Sequence, residues 1–267
     1  MLTRRETLGG GAGLMAAVAA GSSTLRAQQR ALDFSDPSDS LYAYVKTVGS
    51  VAPEYRYTHV RGRVYGSVPG EVIRPLMDYE AGLVNFFERM ENGFRLTRFE
   101  TMHFLDMETG ALLESFANPY TEQNNIPLHG VVGPQTYELT PEKGIQVIAD
   151  YEKNEDGAPF SLNWQADGEL MRFTIETLRE YPESLTPEAW PEASAGRMRR
   201  YGDFLTWTVR RDDLENEDLN SAPATMFYSG QTNWQHWLFM GQKPGHLLWH
   251  SSGGKYASVA DLPQSYV

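Results

Sequence analysis

Asn92-Gly93 stands between two runs of alternating apolar and polar residues. An Asn-Gly pair in that setting is the strongest short-range signal for a β-hairpin, because both residues enter left-handed backbone conformations at low cost. Phe86-Phe87-Glu88-Arg89-Met90 leads into the pair. Phe94 to Asp106 leads away, with Phe94, Leu96, Met102 and Phe104 on one face. A side-chain period of two over such lengths commits this part of the chain to antiparallel sheet. The same period occurs earlier, where the rings of Tyr55 and Tyr57 fall on alternate positions in a strand closed by Val68-Pro69-Gly70.

Further strands are expected at Ala111–Ala117, Gly144–Tyr151, Phe160–Asn163, Leu170–Thr177, Asp203–Arg210, Ala224–Ser229 and His246–Ser251. Glu176 to Tyr181 reads as the end of such a strand or as a helical turn. Tyr181 to Ala195, rich in Pro and Glu, reads as a surface loop. Caps in Pro37-Ser38-Asp39-Ser40, followed by Leu41, Tyr42, Tyr44 and Val45, predict one short N-terminal helix. No alternating strand–helix pattern appears, which argues against Rossmann and TIM architectures. The expected fold is all-β: an antiparallel meander closed, or nearly closed, into a lipocalin-like barrel, with a β-sandwich as the alternative. The first strand has Gly62-Arg63-Val64 where true lipocalins carry Gly-x-Trp.

The 267 residues include no cysteine and carry a formal charge of −12. The first fact excludes disulfide scaffolds, thiolate metal sites and thiol catalysis. The second argues against nucleic acid and anionic membranes as partners. Thr3-Arg4-Arg5-Glu6-Thr7-Leu8, followed by a stretch rich in Gly and Ala, resembles a twin-arginine (Tat) export signal, with Thr7 in place of the usual aromatic residue. Cleavage after Ala27 divides the chain into a signal peptide, 1–27, and one β-rich domain, 28–267. The resemblance implies a periplasmic or secreted protein that meets the Tat translocon during export. No apolar run is long enough for a stable membrane span.

Familiar catalytic signatures are missing: there is no nucleophile elbow, P-loop or H-E-x-x-H. Asp150, Glu152, Asn154 and Asp156 alternate like a calcium loop, but the bend glycine falls at Gly157, so a solvated turn is expected. The acidic run Asp212 to Asp218 is read likewise. Arg98 and Glu100 share the apolar face of the hairpin's second strand. Such charges are costly to bury unless they pair with each other or line a wet pocket; the structural pair is the favoured reading. His129 follows a polar segment with two prolines and is a candidate acid or base, as is His103, with Glu100 as partner. Arg98, Asn118, Tyr120 and Trp237 are candidate ligand contacts. His236, His246 and His250 are weaker candidates for a divalent metal, with a packed aromatic core as the plainer reading. No cofactor is favoured.

Three groups of residues carry a family resemblance. They are Asp106-x-x-Thr109-Gly110, then Phe116-x-Asn118-Pro119-x-Thr121, then Trp234-x-x-Trp237-x-x-Met240-Gly241-x-x-Pro244-Gly245-His246-x-x-Trp249 with Gly254-Lys255. In these the chain resembles a bacterial and fungal domain of unknown function, many of whose bacterial members carry Tat signals. The resemblance implies a single exported domain and transfers no catalytic residue. Two functions lead this reading, ahead of a metal-dependent enzyme using His236, His246 and His250 and of a structural or envelope-associated protein whose rings fill its core. One is a binding protein for a small apolar or aromatic molecule. The other is a cofactor-free lyase, isomerase or hydrolase using His/Glu acid–base chemistry.

Overall fold

A computed structural model describes residues 30–148 and 157–262. Arg4, Arg5 and the signal segment, and the acidic alternation from Asp150 to Asp156, lie outside these residues.

Helix α1 (Pro37–Val48) begins where Asp36 accepts hydrogen bonds from the N–H groups of Ser38 and Asp39 at 2.9 and 3.0 Å, with Pro37 in the first turn. Leu41, Tyr44, Val45 and Val48 recur at helical spacing and are buried. They rest on the strands β1 (Tyr55–Ser67), β2 (Arg74–Met90) and β3 (Gly93–Leu105), and on the later strands of the sheet.

β2 and β3 form the expected hairpin, with a shifted turn. Met90 pairs with Gly93, so Glu91 and Asn92 make the loop. Gly93 opens β3, where a Cβ would lie 2.0 Å from the Leu139 carbonyl oxygen. The glycine serves the close approach of the next strand as well as the exit from the turn, where its φ is +150°.

The chain then departs from expectation. Ala111–Ala117 is not a third meander strand. Residues 106–129 form an excursion holding only the two-residue strands β4 (Phe116–Ala117) and β5 (Asn124–Asn125). The next strand against β3 is β6 (Gly130–Thr140), which the sequence hides behind Gly133-Pro134. There Phe99 opposes two residues, because Arg98 pairs with Gln135 and Glu100 with Val132. The extra residue is a β-bulge, and it turns Gln135 and Val132 to the same face of the sheet.

β7 (Gly144–Val147), β8 (Gln165–Asp167), β9 (Leu170–Pro182), β10 (Met198–Arg210), β11 (Ala224–Thr232) and β12 (His246–Tyr256) complete one ten-stranded antiparallel sheet. Its order is β7-β6-β3-β2-β1-β12-β11-β10-β9-β8. Phe160–Asn163 is not a strand, Glu176–Tyr181 is strand, and part of the acidic run forms the short helix α2 (Arg211–Glu215). A single curled sheet replaces the sandwich alternative. β7 and β8 do not pair with each other, so the sheet is a half-barrel of the lipocalin-like kind.

Two glycines mark the midline of the sheet, between β1 and β12. A Cβ on Gly62 would lie 1.9 Å from the His250 carbonyl oxygen, and one on Gly253 would lie 1.8 Å from that of His59. Both glycines face inward by strand alternation, so the concave side can fold over them.

Two apolar clusters occupy the ends of the trough. At one end α1 packs on Val60, Phe87, Leu96, Phe173 and Trp207. At the other, Val64, Phe104, Leu247 and Trp249 meet Trp234 and Trp237. The Lys255 amine donates to the carbonyls of Lys46 and Gly49 at 2.7 and 3.0 Å, tying the end of α1 to β12.

Candidate functional site

Between the two apolar ends the inward-facing residues become polar. They line a cavity of about 480 Å³, a volume typical of small-molecule sites. β3 contributes Arg98 and Glu100, β9 Arg179, β10 Arg199, Tyr201 and Asp203, and β11 Tyr228. Strand alternation explains the set: 98 and 100 follow Leu96 on the core face, and 203 lies on the same face as Trp207.

The Tyr228 hydroxyl donates to Asp203 Oδ1 at 2.6 Å. Burial pushes the Asp203 carboxyl above its ordinary value, partly offset by Tyr228 and Arg179. Burial, reinforced by the Asp203 charge, pushes the Tyr228 phenol up as well. Nearby, the Tyr79 hydroxyl donates to Ser251 Oγ at 2.8 Å, and burial raises that phenol too. At the rim, His236 Nε2 lies 3.0 Å and Arg199 Nη1 3.7 Å from Glu183 Oε2. Burial raises the Glu183 carboxyl, but His236, the Ser184 N–H and Arg199 outweigh it and hold the carboxyl below its usual range.

Arg98 and Glu100 do not form the expected structural pair. Arg98 Nε donates to Asn85 Oδ1 at 2.9 Å, its guanidinium lies 5.7 Å from the Tyr137 ring centroid, and both charged residues line the cavity. None of the six histidines lines it. His129 Nδ1 accepts from the Phe104 N–H at 3.1 Å, which leaves Nε2–H to donate to the Leu113 carbonyl at 3.1 Å. Both nitrogens are thus taken by backbone. His103 alternates with the inward-facing Met102 and Phe104, so it faces the convex side, where its ring is 5.8 Å from that of His129. His246 and His250 also lie on the convex side of β12, and His236 is with Glu183, so the three are not brought together. Among the described residues no group of three or more His, Asp or Glu side chains is placed to hold a metal.

The remaining ligand candidates serve the fold. Asn118 is buried, donates to the Leu238 carbonyl at 2.8 Å and accepts from the Tyr120 N–H at 2.9 Å. Tyr120 stacks near Trp234, with ring centroids 5.6 Å apart, and Trp237 packs on Phe104 and Phe116. A shallower groove of about 290 Å³ on the convex face is lined by Arg63 and Asp78, which already satisfy each other at 2.6 Å.

Asp203, Tyr228, Arg179 and Arg199 are not among the sequence candidates. Asp203 alone carries the anomaly that marks Arg98 and Glu100, a charge on the apolar parity of an expected strand. Arg179 and Arg199 lie beyond the expected strands Leu170–Thr177 and Asp203–Arg210, which the structure extends to Pro182 and back to Met198.

Fold and site together define an antiparallel half-barrel built around an internal polar cavity. The chain belongs to the family described as "Protein of unknown function (DUF1838)", which matches residues 54–267. No curated protein matches the sequence. Among the described residues no helix is long and apolar enough to cross a membrane.

Proposed function

We propose that this is an exported protein that binds a small, largely aromatic or apolar molecule in the concave cavity. The observation that carries the reading is the cavity itself: about 480 Å³, polar at mid-height, with Tyr79, Tyr137, Tyr201, Tyr228 and Trp249 among its walls. Rings offer a ligand large contact areas at small entropic cost, and the polar groups fix its orientation. Export rests on the twin-arginine segment of the sequence. The test is native mass spectrometry of the full chain isolated from its own host, with a titration followed by tryptophan emission, to which Trp249 in the cavity wall contributes. A bound organic mass, lost in a cavity-filling Ala81→Phe variant, supports the reading. A bare mass, with tryptophan emission unmoved by aromatic probes, overturns it.

A second reading is favoured by one contact. The Asp203–Tyr228 hydrogen bond places a carboxyl of raised pKa beside a phenol inside the cavity, which suits proton transfer to or from a bound molecule. In this reading Asp203 replaces the histidines as acid or base. Turnover abolished in Asp203→Asn with ligand affinity retained supports an enzyme. Turnover equal to wild type removes Asp203 from the chemistry.

A further inference from the structure

We infer that the cavity holds a small organic monocarboxylate, its anionic end between Arg98 and Arg179 and its body directed toward Tyr228. This inference rests on the cavity reading above and adds the charge class of the ligand.

The chain as a whole carries −12, yet its concave wall carries three arginines against Glu100 and Asp203. Among the described residues only Arg199 of these five has an opposite charge at ion-pair distance. Arg199 faces Glu183 at 3.7 Å and donates to Gln235 Oε1 at 3.4 Å, and Asp203 accepts from Tyr228. Arg98 likewise has only neutral partners, Asn85 and the Tyr44 phenol. The Asn85 side chain takes Arg98 Nε while its own amide donates to the Val48 carbonyl at 3.2 Å, so the guanidinium is held in orientation without being neutralised. Arg179 makes no ion pair or side-chain hydrogen bond among the described residues; it sits opposite Tyr201 on the neighbouring strand, and the carboxylate its charge acts on, Asp203, is taken by Tyr228. β3 and β9 are on opposite arms of the curled sheet, so the two forks enter one cavity from its two walls. A planar guanidinium fork matches the two oxygens of a carboxylate.

A second, independent observation points the same way. Thr58 lines the cavity, is 2 % exposed, and its hydroxyl has no hydrogen-bond partner among the described residues. An unpartnered buried hydroxyl is costly, and a ligand oxygen satisfies it. Glu100 limits the ligand to one anionic group, because a second would meet its carboxylate.

The experiment titrates the full chain with three pairs of one shape and two charges: benzoate and benzamide, 2-naphthoate and 2-naphthamide, octanoate and octanamide. Binding is followed by tryptophan emission. In the pair that fits, the acid binds at least tenfold more tightly than its amide. Arg179→Met, at an exposed and unpaired position, removes most of that preference, and Glu100→Gln strengthens acid binding several-fold while leaving the amide nearly unchanged. An amide that binds as tightly as its acid overturns the inference and leaves the cavity reading standing. An acid preference that survives Arg179→Met intact also overturns it. Silence from all six compounds overturns both.

Discussion

Replacing Gly253 by alanine tests the account of the sheet's curvature. The new Cβ would sit 1.8 Å from the His59 carbonyl oxygen and 2.8 Å from Val60 Cα, whereas real Cβ contacts stay beyond about 3.0 Å. Both obstacles are backbone in the central strand pair, so no side chain can rotate away, and roughly 1 Å must come from prising β1 from β12. Overpacking of this kind costs about 1–3 kcal/mol, and a rigid backbone clash belongs at the upper end. The stiffer unfolded chain returns only about 0.4–1 kcal/mol. The net expectation is a loss of about 2 kcal/mol. In urea, with a slope of about 2 kcal/mol per molar, that lowers the midpoint of the tryptophan-detected transition by about 1 M. Gly130→Ala is the control: its Cβ meets nothing within 4 Å and its backbone is not left-handed, so its midpoint should stay level or rise slightly. If Gly253→Ala unfolds at the same urea concentration as Gly130→Ala, the midline glycines do not set the curl.

Three further outcomes follow from contacts already described. Asp36→Ala removes the cap of α1 and should cost about 1 kcal/mol in denaturant titrations, with ligand affinity unchanged, because no α1 residue lines the cavity. His129→Ala leaves the Phe104 N–H and Leu113 carbonyl unpaired and should cost about 2 kcal/mol; arylcarboxylate affinity should be unchanged, and a large loss would return His129 to the site. Burial holds the Lys46 amine down to about 8 in the folded protein, so between about pH 8 and 10 the unfolded chain binds more protons and stability rises with pH. Above about pH 10 the raised phenols of Tyr79 and Tyr228 reverse the slope, because the unfolded chain loses those protons first. Lys46→Met should flatten the rise, by about 1–2 kcal/mol between pH 8 and 9.5; an unaltered slope would refute the assignment.

The sheet was legible where side chains alternate over long runs. β1, β3, β10 and β12 all announce themselves by parity, and α1 by its cap and its 3.6-residue stripe. β6 was not, because its bulge at Gly133-Pro134 breaks the period of two that identifies strands. Phe160–Asn163 misled in the opposite sense: its apolar residues pack on the α1 cluster from an irregular segment. At the site, the charges on β3 could be seen from sequence because the apolar face around them was clear. Their role could not, since a loop at Asn92-Gly93 would set Phe87 opposite Arg98, whereas the observed loop at Glu91-Asn92 sets Asn85 there. The histidines drew attention through their chemistry, yet hydrogen bonds to backbone and the convex side of the sheet account for them. The carboxyl–phenol pair lies on expected strands, but its hydrogen bond depends on the register of β10 against β11, which a period of two does not report.

The pairing of β1 with β12 also governs the order in which the molecule can be made. Tyr57 and Tyr256 are partners across the middle of the sheet, about 200 residues apart along the chain, the kind of contact that slows folding. Each arm is assembled from strands close in sequence and can form as it is synthesised, but the seam must wait for the last strand. Until then β1 and β11 each present a bare edge, the feature that invites association between chains. The nascent protein is therefore most vulnerable until β12 is in place, and a chain that stops short of His246 never leaves that condition.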